Sequence, residues 1–297
     1  MPEYLLFDVF AERPFEGNPL AVFAHADGLE TATMQRIANE LNLSESVFLT
    51  RTGDEDRPAR VRIFTPATEM AFAGHPTIGA TIAIAEELRW TAKDAFVLEE
   101  GVGDVRVRVT RGPQTTAWLQ TPAIRFGEVF AREDAAAVLQ LPLERIRADA
   151  PVQLAGAGNP FLYVPLVDEA AVDAAGMDAA AVRRFGGDAG DLNGVFLFAQ
   201  TAQGTYSRMF APMSGIAEDP ATGSAHGPLY AYLIEHELLP NASASYTALQ
   251  GVKMRRRSVM LIRVHAGSPP RVDVGGSALL VGSGKLHGLR SAHADHA

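Results

Sequence analysis

No cysteine occurs anywhere in this chain of 297 residues. Disulfides, thiolate nucleophiles and cysteine-based zinc or iron–sulfur sites are therefore excluded. Positive charge is scarce too: 26 Lys and Arg stand against 35 Asp and Glu, a formal net charge of -9. An acidic surface repels nucleic acid and anionic membrane, which argues against both as partners. A site for an anionic substrate would have to attract it locally. Long apolar runs are also missing, none approaching the ~20 residues that span a bilayer. The opening MPEYLLFDVF carries acids at Glu3 and Asp8 and no basic stretch, so it does not read as a signal peptide. Without a leader, the Asn-x-Ser matches at Asn42 and Asn241 say nothing of glycosylation. The expectation is a soluble, cytoplasmic protein.

What the chain does have is a repeat. Its 47% hydrophobic content and its length suit two globular domains. FTPATEMAFAGHPTIGATIA, from Phe64, returns as FAPMSGIAEDPATGSAHGPL, from Phe210. GNPLAVF at Gly17 returns as GNPFLYV at Gly158, ESVFL at Glu45 as NGVFL at Asn193, and RIFTP at Arg62 as RMFAP at Arg208. In the turn, Thr77 and Ala80 match Thr222 and Ala225. Four matches in order at nearly constant spacing indicate internal duplication, and two copies are too few for a solenoid. Two half-domains about a pseudo-twofold axis are expected: residues 1–122, residues 123–286 with the option that the last strand packs back on the first half, and a tail over 287–297.

Within the halves, LLFDVF, NPLAVFAH, SVFLTR and ARVRIFTP read as strands. ETATMQRIANELNL places Met34, Ile37, Ala38 and Leu41 on one helical face, with Thr31 or Thr33 as cap. PTIGATIAIAEEL begins with Pro76 at a favoured first helical position and is apolar nearly all round, which predicts a buried central helix. AFVLEE and GDVRVRVTR close the half as strands. The second half repeats this plan, with strands near 161 and 195, YSRMFAP, the helix AHGPLYAYLIEHELL, and the closing strands SVMLIRVHA and PRVDVGGSALLVGSG. Pro122 and Gly127 punctuate the juncture, and an Ala-rich helix starts near Glu133. The fold class is α+β, each half a mostly antiparallel sheet around one buried helix.

The chemistry is expected where the copies face each other. Gly74-His75 and Thr222-Gly223-Ser224 each run straight into a central helix, whose first N–H groups and positive dipole end suit an anion. Two such starts would cradle a carboxylate despite the net charge, with glycines for close backbone approach. The copies differ in their acids. Glu45 faces Asn193, and Asp219 stands where the first copy offers Gly74 or Ala73. An acid from each half beside His75 is a set suited to proton transfer. Each also has a plain structural reading: Glu45 a helix end facing water, Asp219 a turn start before Pro220, His75 a helix-cap donor. Together at duplicated helix starts the functional reading is the better one.

DVFAERPFEGNPLAVF, ANELNLSESVFL, RIFTPATEMAFAGHPTIGA and GIAEDPATGSAHGPL resemble the PhzF family of phenazine-biosynthesis-like isomerases, from Asp8 to about Lys285. The resemblance implies a diaminopimelate-epimerase-like fold: two domains, each a barrel-like sheet of antiparallel and mixed strands on a central helix, with the site between. It implies a homodimer and a reaction without cofactor. The substrate would be a small cyclic or amino-acid-like carboxylate, as with the trans-2,3-dihydro-3-hydroxyanthranilate of the characterised member. By the same resemblance Glu45 moves the proton, and His75, Asp219 and Ser224 match the family's site histidine, aspartate and serine. With His75 and Asp219 as catalytic partners, the expected substrate-holding residues are Ser224 and, from the helix starts, Gly74 and Gly223. The nearest rivals are a carboxylate-based epimerase and a non-catalytic carboxylate-binding or scaffolding protein of the same fold. Related racemases use a cysteine from each half. Ala73 and Ala221 stand at the matching places here, so two-thiol chemistry is excluded.

Other motifs fail. VGSGKL has Leu279 where a phosphate loop needs its first glycine and Leu286 where it needs Ser or Thr. GVGDVR has Arg106 in place of the third glycine of a dinucleotide fingerprint. KMRRRS at Lys253 reads as a solvated turn, and His293 and His296 as part of a frayed tail rather than a metal site.

Overall fold

The computed structural model describes residues 2–182 and 192–287, so His293 and His296 of the tail lie outside the described residues. The first half runs β1 (Glu3–Val9), β2 (Asn18–Phe23), α1 (Thr31–Leu41), β3 (Glu45–Asp54), β4 (Arg57–Phe64), β5 (Glu69–Met70), α2 (Gly74–Ile82), β6 (Ala95–Glu100), β7 (Gly103–Thr110) and β8 (Thr116–Gln120). The second runs β9 (Arg125–Phe130), α3 (Arg132–Val138), β10 (Val152–Gly156), β11 (Pro160–Pro165), α4 (Glu169–Ala174), β12 (Gly194–Gln200), β13 (Gly204–Ala211), β14 (Ile216–Asp219), α5 (Gly223–Glu235), β15 (Ala244–Gln250), β16 (Ser258–His265) and β17 (Arg271–Lys285). The α+β class expected from the repeat is the class observed.

The strands form one continuous sheet whose two halves use the same mixed ladder. β2 pairs β3 and β4 pairs β6 in parallel, as β11 pairs β12 and β13 pairs β15. Antiparallel pairs join the rest. The last strand of the second half packs back on the first. β8 leads into β9, which pairs β10, while β17 pairs β16 and β8 with its first part and β1 with its second. The first half of the sheet therefore closes into a ring through β17, a barrel without a free edge.

Period-two alternation decides what fills the barrels. Leu20 and Val22 of β2 and Val47 and Leu49 of β3 point inward onto α2, while Ala21, Phe23 and Phe48 point outward onto Met34, Ile37 and Ala38 of α1. Every residue of α2 is buried, as is α5 from Gly223 to Leu233. Their near-uniform apolarity follows, since a helix wrapped by a sheet has no wet face. The Arg62 and Arg208 of the repeated phrase point outward, each in a bidentate pair with a nearby glutamate, Glu69 and Glu218.

Several local readings change. Glu30 precedes α1 with no side-chain cap, so neither Thr31 nor Thr33 caps it. Pro76 is the third residue of α2, because the helix already starts at Gly74. The KMRRRS stretch is a turn, but not a solvated one throughout. Arg256 donates to Asp8 and to the carbonyls of Glu16 and Gly17, and Arg257 pairs with Glu12, tying the second half to the first.

Strand pairing also corrects the register of the repeat. Val47 faces Ile63 as Phe196 faces Met209, so the counterpart of Glu45 is Gly194, one place on from Asn193. Ile63 faces Met70 as Met209 faces Asp219, so the counterpart of Asp219 is Met70, not Gly74 or Ala73. Gly74 and Gly223 both open their helices, which matches Thr77 with His226 rather than with Thr222. Thr77 and His226 do the same work, each hydrogen-bonding to the carbonyl four residues back, of Ala73 and Thr222 respectively. The turn from β13 into β14 is longer than the turn from β4 into β5, whereas the loops from Met70 to α2 and from Asp219 to α5 match, and sequence matching had absorbed the extra residues in the wrong place.

Candidate active site

The two helix starts meet back to back at the centre of the molecule. A Cβ on Gly74 would lie 2.3 Å from the backbone nitrogen of Ser224 and 2.5 Å from the carbonyl carbon of Gly223. A Cβ on Gly223 would lie 2.9 Å from the ring of Phe10. Neither glycine has a positive φ. Both glycines are therefore needed for helix-to-helix approach, and of the two only Gly223 also lines the cavity beside them.

That cavity, ≈ 210 Å³, is lined by Glu45 and His75 from one half, by Asp219, Thr222, Gly223 and Ser224 from the other, and by apolar groups including Met70 and Met209. Alternation along β3 turns Glu45 inward in the row of Val47 and Leu49. In the second half Gly194 takes that place, and a Cβ there would meet the Met209 sulfur at 2.7 Å. His75 is held by the first turn of α2. Asp219 ends β14, where the chain turns into α5. Ala73 corresponds to Thr222, not to Ala221, in the helix-start register, and neither position carries a thiol. Larger grooves exist, such as the ≈ 1250 Å³ one beside Pro122, Pro240 and Pro269, but no buried acids converge there.

Asp219 is buried and fully engaged. Its Oδ1 accepts from the Asn18 amide at 2.8 Å and the Ser44 hydroxyl at 3.3 Å, and its Oδ2 accepts from Thr222 Oγ1 at 2.6 Å. Burial still pushes its pKa up to about 6, with these three donors pulling the other way. Glu45 has no such support. Its Oε2 is buried without a hydrogen-bond partner and lies 3.4 Å from His75 Nδ1. Burial first, and the charge of Asp219 second, hold its pKa well above the ordinary carboxylate range. Burial lowers His75 to about 3, so its imidazole is neutral at physiological pH. Two acids with unequal proton affinity beside a neutral imidazole can hold, release and take back one proton. Among the described residues no three His, Asp or Glu side chains are grouped as a metal site would group them.

Sequence reasoning missed Asn18, Ser44 and Gln250. Asn18 was legible only as a turn word in the repeated Gly-Asn-Pro. Each copy of that asparagine reaches into the other half: Asn18 Nδ2 donates to the Ala221 carbonyl at 3.1 Å, and Asn159 Nδ2 to the Phe72 carbonyl at 2.9 Å. The Gly-Asn-Pro repeat thus braces the approach to both helix starts.

Comparison with known proteins shows what the chain is similar to. Residues 7–284 match the PhzC-PhzF family, described as phenazine biosynthesis-like protein. The trans-2,3-dihydro-3-hydroxyanthranilate isomerase of Pseudomonas aeruginosa is 37% identical over 291 residues, covering 97% of this chain and 100% of that one. A crystal structure of a PhzF-family phenazine biosynthesis protein from Bacillus anthracis superposes with a TM-score of 0.87 at 22% identity, covering 96% and 99% of the two chains. The fold extends to a probable proline racemase from Agrobacterium radiobacter, TM-score 0.69 at 12% identity over 97% and 93%. Matched along nearly its whole length, the chain belongs to the PhzC-PhzF family of phenazine biosynthesis-like proteins and is a PhzF-like isomerase acting on a small molecule.

Proposed function

We propose that this isomerase moves a proton between two carbons of a small cyclic or amino-acid-like carboxylate, without a cofactor. The observation that carries the reading is the convergence of Glu45, Asp219 and neutral His75, from both halves, on one small cavity. Glu45 is the proton carrier, because a carboxylate of raised pKa is a strong enough base to accept a proton from carbon and returns it as an acid. His75 Nδ1 lies 3.4 Å from Glu45 Oε2 and, as the acceptor of a neutral imidazole, steadies that carboxyl when it carries the proton. Asp219, held by three donors, keeps the negative charge that raises the proton affinity of Glu45. The substrate carboxylate is received by the Ser224 hydroxyl and the free N–H groups of the helix starts, Gly223 included. The cavity volume suits a single-ring acid, the class named by the Pseudomonas aeruginosa relative. The protein works as a cytoplasmic homodimer in this proposal.

The test is deuterium incorporation from heavy water into cyclic and amino-acid-like carboxylates, starting with trans-2,3-dihydro-3-hydroxyanthranilate. Exchange at carbon with conversion to an isomer is the expected result. Saturable binding with no exchange by any such acid would instead identify a carboxylate-binding protein.

A further inference from the structure

Gln250 is fully buried at the end of β15, a position that strand pairing makes equivalent to Glu100 at the end of β6. It touches no substrate-facing surface, yet its amide is completely used. Its Oε1 accepts from the Thr222 N–H at 3.1 Å, and its Nε2 donates to the Asp219 carbonyl at 2.8 Å and to Thr222 Oγ1 at 2.9 Å. These bonds close the short loop from Asp219 to the N-cap of α5. They also fix a direction. A hydroxyl carries one hydrogen, and Thr222 Oγ1, already accepting from Gln250, sends its own to Asp219 Oδ2 at 2.6 Å. Thr222 therefore meets Asp219 as a donor.

The same reasoning applies on the other side of Asp219. Asn18 has two amide hydrogens, and its nearer acceptors are Asp219 Oδ1 at 2.8 Å and the Ala221 carbonyl at 3.1 Å, ahead of His75 Nδ1 at 3.3 Å. Asp219 is surrounded by donors, and His75 Nδ1 is left to accept from Glu45. Hydrogen bonds to a charged form favour that form. The remaining ionisable neighbours do not reverse the assignment. Glu218, next in the chain, favours a protonated Asp219 but contributes less than the donors do, its charge being offset by a bidentate pair with Arg208 of β13, and the α2 neighbour His75 is neutral.

We propose that Gln250 is a positioning residue which, by locking Thr222 as a donor, keeps Asp219 the ionised partner and leaves the proton shared by the two acids on Glu45. The inference rests on the reading of this cavity as a proton-transfer site. A carboxylate at position 250 could not serve, since it has no hydrogen to give Thr222 Oγ1 or the Asp219 carbonyl. At Glu100 the first half has only the Thr77 hydroxyl to satisfy and needs no such amide.

The test uses no substrate, so it stands even if the isomerase reading fails. In the full chain carrying Glu45→Gln, which uncouples the pair, the Asp219 carboxyl is titrated by carbon NMR, with Asp219→Asn giving the assignment. Thr222→Val keeps the N–H bond to Gln250 and the side-chain volume but removes the donor. It is expected to raise the Asp219 midpoint by about half to one pH unit. Thr222→Ser keeps the donor and should restore the original midpoint, and Gln250→Met should raise it as Thr222→Val does. An unchanged midpoint in folded Thr222→Val, or an equal rise in Thr222→Ser, overturns the proposal. An unchanged midpoint in folded Gln250→Met likewise overturns it, and Gln250→Leu takes its place should that variant fail to fold.

Discussion

At the scale of single residues, the site depends on one carboxyl left without support among groups that are well supported. Glu45→Gln keeps the shape of that side chain and removes its proton affinity. Turnover should fall at least ~10²-fold while substrate binding is largely retained, because the loss is confined to general acid–base work. Comparison of single-turnover rate with calorimetric affinity checks this, and near-normal turnover would remove Glu45 from the mechanism. Ser224 carries the complementary expectation. A hydrogen bond to a charged group contributes about 1.5–3 kcal/mol. Ser224→Ala should therefore weaken binding of a substrate carboxylate by about one to two powers of ten. An amide analogue, lacking the charge, should be nearly insensitive to the same change. Equal losses for acid and amide would show that Ser224 supports the helix start and not the ligand.

At the scale of elements, the central helices were the most legible part of the chain and the loops before them the least. PTIGATIAIAEEL and AHGPLYAYLIEHELL announce burial through continuous apolarity, and burial is what α2 and α5 show. β9 was hidden because its residues are exposed nearly throughout and Pro122 and Gly127 flank or interrupt it, so no alternation marks it as a strand. The site acids were legible in identity, since they break the repeat. Their true counterparts, Gly194 and Met70, emerged only from strand pairing, and Met70 was masked because the turn from β13 into β14 is longer than the one from β4 into β5. Gln250 gave no signal, for a buried glutamine in a strand is recognisable only by what it bonds. Gly74 was read for the wrong reason, and its actual role is testable. Alanine is favoured over glycine within a helix by roughly 1 kcal/mol. Here the new Cβ would lie 2.3 Å from backbone nitrogen, which cannot move as a flexible side chain does. Gly74→Ala should lose about 1–3 kcal/mol in urea unfolding, the cost of overpacking. A gain in stability would mean the helix starts are not in contact.

At the scale of the whole molecule, burying a two-sided site ties folding to pH. The loop and strand ends around the helix starts enclose five titratable groups in two opposed sets. His75 and His226, lowered by burial to about 3 and about 4 from 6.5, are neutral when folded and charged when unfolded, so stability is lost as pH falls below about 6.5. Asp219 and Glu45, both raised, act the other way, and so does Glu100, which burial pushes from 4.5 up to about 8. Geometry supports a protonated Glu100. Thr77 Oγ1 lies 2.8 Å from the Ala73 carbonyl and 2.7 Å from Glu100 Oε1, and its single hydrogen satisfies the carbonyl only if Glu100 supplies its own. An acid that stays protonated when folded but ionises when unfolded binds more protons in the native state, so stability falls as pH rises between the two pKa values. From about pH 4.5 to 6.5 the histidines and acids oppose each other and stability should be nearly flat. Above about 6.5 the histidines are neutral in both states and the acids act unopposed. Stability should then decline toward pH 8, at up to about 1.4 kcal/mol per pH unit for each group still protonated. Glu100→Gln supplies a permanent donor to Thr77 without an ionisable proton. Urea melts at pH 6, 7 and 8 should show the variant declining less steeply than the parent chain, the gap widening with pH. Parallel curves for the two proteins would mean that Glu100 is ionised beneath α2, with Thr77 donating to it and the Ala73 carbonyl left to the Thr77 N–H alone.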